Sequence, residues 1–215
     1  SRLISGHYDG RICIWRWPSG ILERVLIGHD FGAISQLAIS PDGAYLLSGG
    51  GDTSLRKWRI DTGEQLFCTL KTQGTPSPLS IPPQGETVIT PYVCDRATLV
   101  MRDLKTGEIR TRLEGHQGNV NVLKYLEGGK QLVTGADDQT VRHWDLNTGQ
   151  CLGVLEGGHT GQVVAICIGK KGTRLVSGGG DGSIVEWDLH SGTLIRKLLQ
   201  YQPPDSRYHK VYLDP

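Results

Sequence analysis

The chain has 215 residues and balances 23 Lys and Arg against 22 Asp and Glu, for a formal net charge of +1. With 21% charged and 37% hydrophobic residues, it has the composition of a soluble globular domain rather than a disordered segment. That balance leaves no basic footprint for nucleic acid, and no apolar run approaches the roughly 20 residues needed to span a bilayer.

The opening stretch, SRLISGHYDG, lacks the basic-then-apolar pattern of a secretory signal. Cys13, Cys68, Cys94, Cys151 and Cys167 are odd in number and dispersed, without a Cys-x-x-Cys pair. They read as buried strand thiols in a reducing, cytoplasmic compartment rather than as a disulfide framework. Glycine fills 30 of 215 positions, about twice its usual share of roughly 7%. With no low-complexity tract present, these glycines are assigned to turns.

Taken in chain order, the predicted elements are short strands. RLIS at 2–5 matches YLLS at 45–48. ISQLAIS (34–40), AYLLSGG (44–50), TSLRKWRI (53–60) and EQLFCTL (64–70) alternate or cluster apolar and β-branched residues over short spans, a strand pattern without helical period. The joints carry turn residues: Pro41-Asp42-Gly43, Asp61-Thr62-Gly63, Thr106-Gly107, Asn147-Thr148-Gly149 and Ser191-Gly192, where glycine supplies positive φ.

The spacing is periodic. Trp15, Trp58, Trp144 and Trp187 are separated by 43, 86 and 43 residues. SGGGDTSLRKW at 48–58 returns as SGGGDGSIVEW at 177–187. A degenerate copy fills the middle, where CDRATLVMRDLKTGE from Cys94 aligns with DDQTVRHWDLNTGQ from Asp137, placing Arg102 in the tryptophan slot. Five copies of four antiparallel strands describe radially repeated small sheets.

These residues resemble the WD-repeat β-propeller family, whose unit runs from Gly-His to Trp-Asp over about 40 to 45 residues. Gly28-His29, Gly115-His116 and Gly158-His159 supply the first pair, and Trp144-Asp145 and Trp187-Asp188 the second; Trp15 and Trp58 are followed by Arg. The resemblance implies an all-β propeller of four-stranded blades, each running from an inner strand a to an outer strand d. Its expected blades are 1–27 plus 208–215, 28–70, 71–114, 115–156 and 157–199. The tail YHKVYLDP (208–215) is similar to SQLAISPDG (35–43) and is expected to supply strand a of the first blade. That would close a five-bladed ring and hide its sheet edges. The alternative is part of a larger, for instance seven-bladed, propeller.

Three sets of residues have the types of a hydrolase triad: His29, Ser48 and Asp52; His116, Thr134 and Asp138; His159, Ser177 and Asp181. An enzyme needs one such set, and three in phase point to structure. The resemblance implies buried hydrogen-bond chains that also include Trp58, Trp144 and Trp187. Each chain partners groups whose unsatisfied burial costs about 1–3 kcal/mol. The glycine-rich phrases lack the Gly-Lys-Ser/Thr and following helix of a phosphate loop. His29, His116 and His159 lie in different units and cannot share one metal ion, and His7, His143, His190 and His209 lack ligand spacing. No cofactor or metal is expected.

The third unit departs most from the pattern. Lys71-Thr72-Gln73 replaces Gly-His, no tryptophan follows, and Pro76, Pro78, Pro82, Pro83 and Pro91 disfavour a regular strand a. Asp95 survives without its chain, so this unit should be the least rigid. Trp17, beside Pro18, is expected to pack.

The resemblance further implies a non-enzymatic protein-interaction scaffold that binds a protein or peptide on its top rim, with no role for nucleic acid, membrane or metal. Carried over by position, the rim residues are Tyr8, Ala33, Ser35, Gly51, Cys94, Asn119, Asn121, Asp137, Gln162, Val164 and Gly180. The set is mostly uncharged and holds no arginine cluster for phosphopeptides. The alternative is a sensor or autoinhibitory module of a larger signalling ATPase or kinase, because DDQTVRHWDLNTGQCL (137–152) is similar to repeats that follow nucleotide-binding switch domains.

Overall fold

The computed structural model describes residues 1–69, 78–92 and 95–200. The chain divides into two compact units, Ser1–Cys94 with Arg102–Glu108, and Asp95–Met101 with Ile109–Pro215.

The first sheet has the order β1 (Arg2–Gly6), β2 (Ile12–Arg16) and β3 (Ile21–Leu26). The second runs β4 (Ile34–Ile39), β5 (Tyr45–Gly50), β6 (Leu55–Arg59) and β7 (Gln65–Thr69). A third, three-stranded sheet consists of β8 (Thr87–Tyr92), β9 (Asp95–Asp103) and β10 (Ile109–Leu113). The fourth is β11 (Val120–Tyr125), β12 (Gln131–Ala136), β13 (Val141–Asp145) and β14 (Cys151–Leu155). The fifth is β15 (Val163–Ile168), β16 (Arg174–Gly179), β17 (Ser183–Asp188) and β18 (Thr193–Gln200).

The expected four strands per repeat are present in the second, fourth and fifth sheets, whereas the first and third have three among the described residues. In the third, Pro78, Pro82 and Pro83 remove amide donors where an inner strand would run, and a single bridge from Ser80 to Ile89 remains. The tail 208–215 lies outside the described residues.

Packing within each unit follows one rule. In the first unit, Ile12, Ile14 and Leu26 of the first sheet meet Leu46, Trp58 and Ile60 of the second. The opposite side of the second sheet sets Leu47 and Leu55 against Leu79, Val88 and Leu104. In the second unit, Val133, Val141 and Leu155 meet Leu175, Trp187 and Leu189. Strand alternation makes this possible, because neighbouring residues on each strand face opposite sheets.

The assignment of glycines to turns holds at Gly63, Gly107, Gly149 and Gly192, with φ of 76°, 75°, 76° and 70°. It fails at Gly6 and Gly135, which lie in extended strands. A Cβ at Gly6 would sit 2.5 Å from Ile34 Cγ2, and one at Gly135 the same distance from Val163 Cγ1. Here glycine lets the inner strand of the next sheet approach the backbone. Conversely, Thr53 (φ 63°) and Gln139 (φ 68°) occupy the left-handed turn position held elsewhere by Gly10 and Gly182.

The reading of all cysteines as buried is also corrected. Cys13 is buried and Cys167 half-buried, but Cys68 and Cys151 are exposed on the outer strands β7 and β14. β7 and β14 are the edge strands of their sheets, flanked by a neighbouring strand on one side only, which leaves these two thiols open to solvent. Cys94 lies outside the described residues. No helix is long and apolar enough to cross a membrane among the described residues.

The close approach at Gly135 is directly testable. Gly135→Ala should destabilise the fold by about 1–3 kcal/mol through overpacking. Adding Val163→Ala should recover part of that loss in a double-mutant cycle read by denaturant melts. Strictly additive losses would refute the contact.

Candidate functional site

The three triad-like sets are each brought together, and each is joined by its tryptophan. Trp58 Nε1 donates to Ser48 Oγ at 2.8 Å, Ser48 Oγ lies 2.8 Å from His29 Nε2, and His29 Nδ1 lies 2.8 Å from Asp52. In the fourth sheet, Trp144 Nε1 donates to Thr134 at 2.8 Å, Thr134 lies 2.7 Å from His116 Nε2, and His116 Nδ1 lies 2.8 Å from Asp138. In the fifth, Trp187 Nε1 donates to Ser177 at 2.8 Å and Ser177 lies 2.6 Å from His159 Nε2. His159 Nδ1 reaches Ser183 Oγ at 2.9 Å, with Asp181 at 3.5 Å.

Donor counting fixes the direction of each chain. The hydroxyl accepts the indole N–H, so its single proton goes to Nε2, and Nδ1–H then points to the carboxylate of Asp52 or Asp138 or, in the fifth sheet, to Ser183 Oγ, which itself donates to Asp181 at 2.6 Å. A neutral imidazole is required. Burial pushes the His29, His116 and His159 values below the ordinary 6.5, against the opposing pull of Asp52, Asp138 and Asp181. Burial alone would raise the aspartates. Hydrogen bonds from His29 and Ser54 reverse this and bring Asp52 down to about 2. Asp138 and Asp181 are lowered by the same balance, with the backbone N–H of Gln117 and of Thr160 respectively among the donors.

Serine, histidine and aspartate therefore have the connectivity of an acyl-transfer triad but not its access. Ser48, Thr134 and Ser177 are each 0% exposed, and each hydroxyl oxygen already accepts a tryptophan N–H. In two of the Gly-His pairs the glycine admits that indole, while at Gly115 a Cβ would meet Arg142 at 2.6 Å. A Cβ at Gly28 would lie 2.6 Å from the Trp58 ring, and one at Gly158 2.5 Å from the Trp187 ring.

A fourth chain escaped the sequence reading. In the first sheet, Trp15 Nε1 donates to Ser5 Oγ at 2.9 Å, and Ser5 Oγ lies 3.0 Å from Nε2 of half-buried His7. By alignment His7 occupies the position of Gly50, where a Cβ would run into the His29 ring. The residue immediately after β1 thus fills the space that a loop-borne histidine fills elsewhere. The signal was present in ISGH, a histidine two residues after the serine and out of phase with the Gly-His pairs of the other units. Asp9 turns away from the chain and pairs with Arg11 at 2.6 Å.

The rim residues pair in a repeated way. Gly51 N donates to Ala33 O at 2.8 Å, Asp137 N to Asn119 O at 2.9 Å, and Gly180 N to Gln162 O at 2.7 Å. Ser35 Oγ donates to Gly49 O at 3.0 Å. Asn119 and Asn121 both donate side-chain amides to Asp137, at 3.0 and 2.8 Å, forming one polar cluster. Gln162 and Gly180 are exposed and Val164 is half-buried. Tyr8 is 88% exposed, and Phe31, absent from the sequence-derived set, is 67% exposed. The turn after Tyr8 lies against the loop bearing Phe31, since a Cβ at Gly10 would be 3.0 Å from His29 O. An aromatic in the polar loop HDFGA was the signal for it. Among the described residues, no group of three His, Cys, Asp or Glu could hold a metal ion.

Asp181→Ala should cost on the order of 1–3 kcal/mol, because His159 and Ser183 lose a buried acceptor. Asp95→Ala should cost less, since Asp95 accepts from Ala97 N and Thr98 Oγ1 of its own turn and anchors no buried histidine among the described residues. Equal losses in thermal melts would remove the chain's structural role. The pH dependence has a definite sign. Histidines with values below 6.5 in the fold take up protons more readily once unfolded. Stability should therefore fall as pH drops through 6.5, and fall again below 3.8 as the aspartates follow. A melting temperature that is flat or rises on acidification would contradict this.

Comparison with known proteins adds to this geometry. Residues 20–59, 107–145 and 149–188 match the family described as WD domain, G-beta repeat. A p21-activated protein kinase-interacting protein 1-like protein of Danio rerio is 28% identical over 71% of this chain and 39% of its own length. Nuclear distribution protein nudF of Emericella nidulans is 28% identical over 68% of this chain and 37% of its own. A guanine nucleotide-binding protein subunit beta of Oryza sativa subsp. japonica is 30% identical over 62% and 36%. The chain thus spans about two-fifths of the length of these relatives. With repeating sheets, tryptophan-anchored hydrogen-bond chains and three profile matches that together cover more than half of its residues, the chain belongs to the WD40 repeat family.

Proposed function

We propose that the chain is a non-enzymatic interaction scaffold whose rim loops hold a protein or peptide partner, without cofactor or metal. The single observation that carries this reading is the closure of all three Ser/Thr–His–Asp sets by a buried indole. Chemistry-bearing residues are consumed in fixing the loops, and what those loops expose is recognition surface. Asn119, Asn121 and Asp137 offer a polar cluster whose amides and carboxylate are partly open to solvent. Tyr8 and Phe31 offer exposed aromatics of the kind that anchor interfaces. The relatives' names fit the reading: one is a kinase-interacting protein and another a subunit of a guanine nucleotide-binding protein. Exposed thiols at Cys68 and Cys151 suit a reducing compartment such as the cytoplasm.

Pull-down with the chain, followed by mass spectrometry, identifies the partner. Asn121→Arg with Asp137→Arg should then abolish capture with the melting temperature retained, and unchanged capture would move the site off this cluster. A fluorophosphonate probe should leave Ser48, Thr134 and Ser177 unlabelled. Stoichiometric labelling of any of them would end the non-enzymatic reading.

A further inference from the structure

One outer-strand position recurs in every sheet with a different side chain. Nine residues after the repeat tryptophan, or after Arg102 in its place, stand Arg24, Phe67, Thr111, Gly153 and Arg196. In the first unit, Arg24 crosses the third turn of the second sheet. Its Nη2 donates to Asp61 O at 2.9 Å, and its Cδ lies 2.5 Å from where a Cβ on Gly63 would sit. Phe67 packs instead against the core cluster of Leu47, Leu55 and Leu104, and a Cβ on Gly107 would meet nothing within 4 Å. In the second unit, Thr111 Cγ2 lies 2.8 Å from the corresponding point on Gly149. Gly153 brings no side chain at all. A Cβ on it would meet nothing within 4 Å, and neither would one on Gly192 of the fifth-sheet turn.

These two glycines line a cavity of about 210 Å³ together with His143, Leu155, Leu189 and His190. That volume is below the roughly 300–1,000 Å³ of small-molecule sites and above the roughly 150 Å³ that takes a benzene. It is room for one side chain. Leu155 and Leu189 give it apolar wall, and two acceptors belong to its lining residues. His143 Nε2 spends its proton on Gln131 Oε1 at 3.1 Å. Burial disfavours a second proton on that ring, which leaves Nδ1 as a lone-pair acceptor. His190 O, the counterpart of Asp61 O, receives no donor among the described residues. The amide donors of the turn, His190 N and Ser191 N, are spent on Asp188 Oδ1 at 3.0 Å each. That carboxylate adds a negative charge beside the turn.

We infer that this cavity is a binding site for one arginine side chain of a protein partner, its stem over Gly153 and Gly192 and its guanidinium on His190 O. Arg24 supplies the pattern within the same chain, with an aliphatic stem over the turn glycine and a guanidinium on the carbonyl two residues before it. A planar fork of donors suits two acceptors, where a compact ammonium suits one. The site lies at the opposite end of β17 from the rim turn at Gly180. It is a second surface and stands independently of the rim reading.

The probe is acetyl-arginine methylamide, titrated into the full 215-residue chain and followed by amide shifts in NMR. Saturable shifts in the millimolar range should centre on Gly153, His190 and Gly192. Capped citrulline, capped lysine and capped norleucine should each bind about tenfold more weakly, since none offers a charged fork. Gly153 lies in strand β14 without positive φ, so its backbone accepts a side chain. Gly153→Arg reproduces Arg24 and should keep the parent's melting temperature while losing the response. Gly153→Thr, after Thr111, is the smaller filling and decides the point should the arginine variant not fold. The rim variant Asn121→Arg with Asp137→Arg should bind the probe as the parent does, which separates this site from the rim. Equal responses to norleucine would reduce the cavity to an apolar hollow and overturn the inference. So would equal binding of lysine, an absence of saturation, or a response that survives in the folded Gly153 variants.

Discussion

A tryptophan buried between sheets brings one N–H that must find an acceptor away from water, and the repeat is organised around that requirement. Trp58, Trp144 and Trp187 each donate to a hydroxyl at 2.8 Å. The hydroxyl passes its own proton to a histidine, and the histidine reaches a carboxylate at the turn between the second and third strands. The need to pair one buried polar group thus fixes a strand, an incoming loop and a turn relative to one another. The same chain explains the two residues flanking the loop histidine. Glycine before it leaves room for the indole in two of the three, and the amide after it completes the aspartate's hydrogen bonds, as Asp30 and Thr160 do.

The ionisation states follow from this geometry. Neutral imidazole and ionised aspartate are the only combination in which every proton of the chain has somewhere to go. Burial disfavours the imidazolium, and several donors favour the carboxylate. A Ser–His–Asp set with short distances is therefore weak evidence of catalysis until the hydroxyl's access and its other hydrogen bond are accounted for. Here the hydroxyl is fully buried beneath an indole that donates to it.

Much of this was legible in the sequence because period 43 is strong and its punctuation is chemical. Gly-His, the hydroxyl, the turn aspartate and the tryptophan could be aligned without any structure, and all three complete chains form as aligned. What escaped was information carried by pairs of residues rather than by single types. Gly6 and Gly135 read as turn residues because glycine in a sequence does not say which neighbour approaches it. Cys68 and Cys151 read as buried because alternation does not say which strand lies at the edge of its sheet. Trp17 was expected to pack but is 58% exposed, whereas the apolar residues two beyond the other repeat tryptophans, such as Ile60 and Leu189, are buried. His7 was overlooked because a substitute from another segment breaks the linear order of the motif while keeping its geometry.

That substitution alters the entropy of assembly. The loop-borne histidines meet their hydroxyls across 19, 18 and 18 residues, whereas His7 meets Ser5 across two. Closing a flexible loop carries an entropic cost that grows with its length, by about 0.6 kcal/mol for each doubling. In the first sheet the imidazole sits on the residue directly after the hydroxyl's strand, so no long loop needs to be ordered to complete the contact. Contacts of such low sequence separation are the ones that form early.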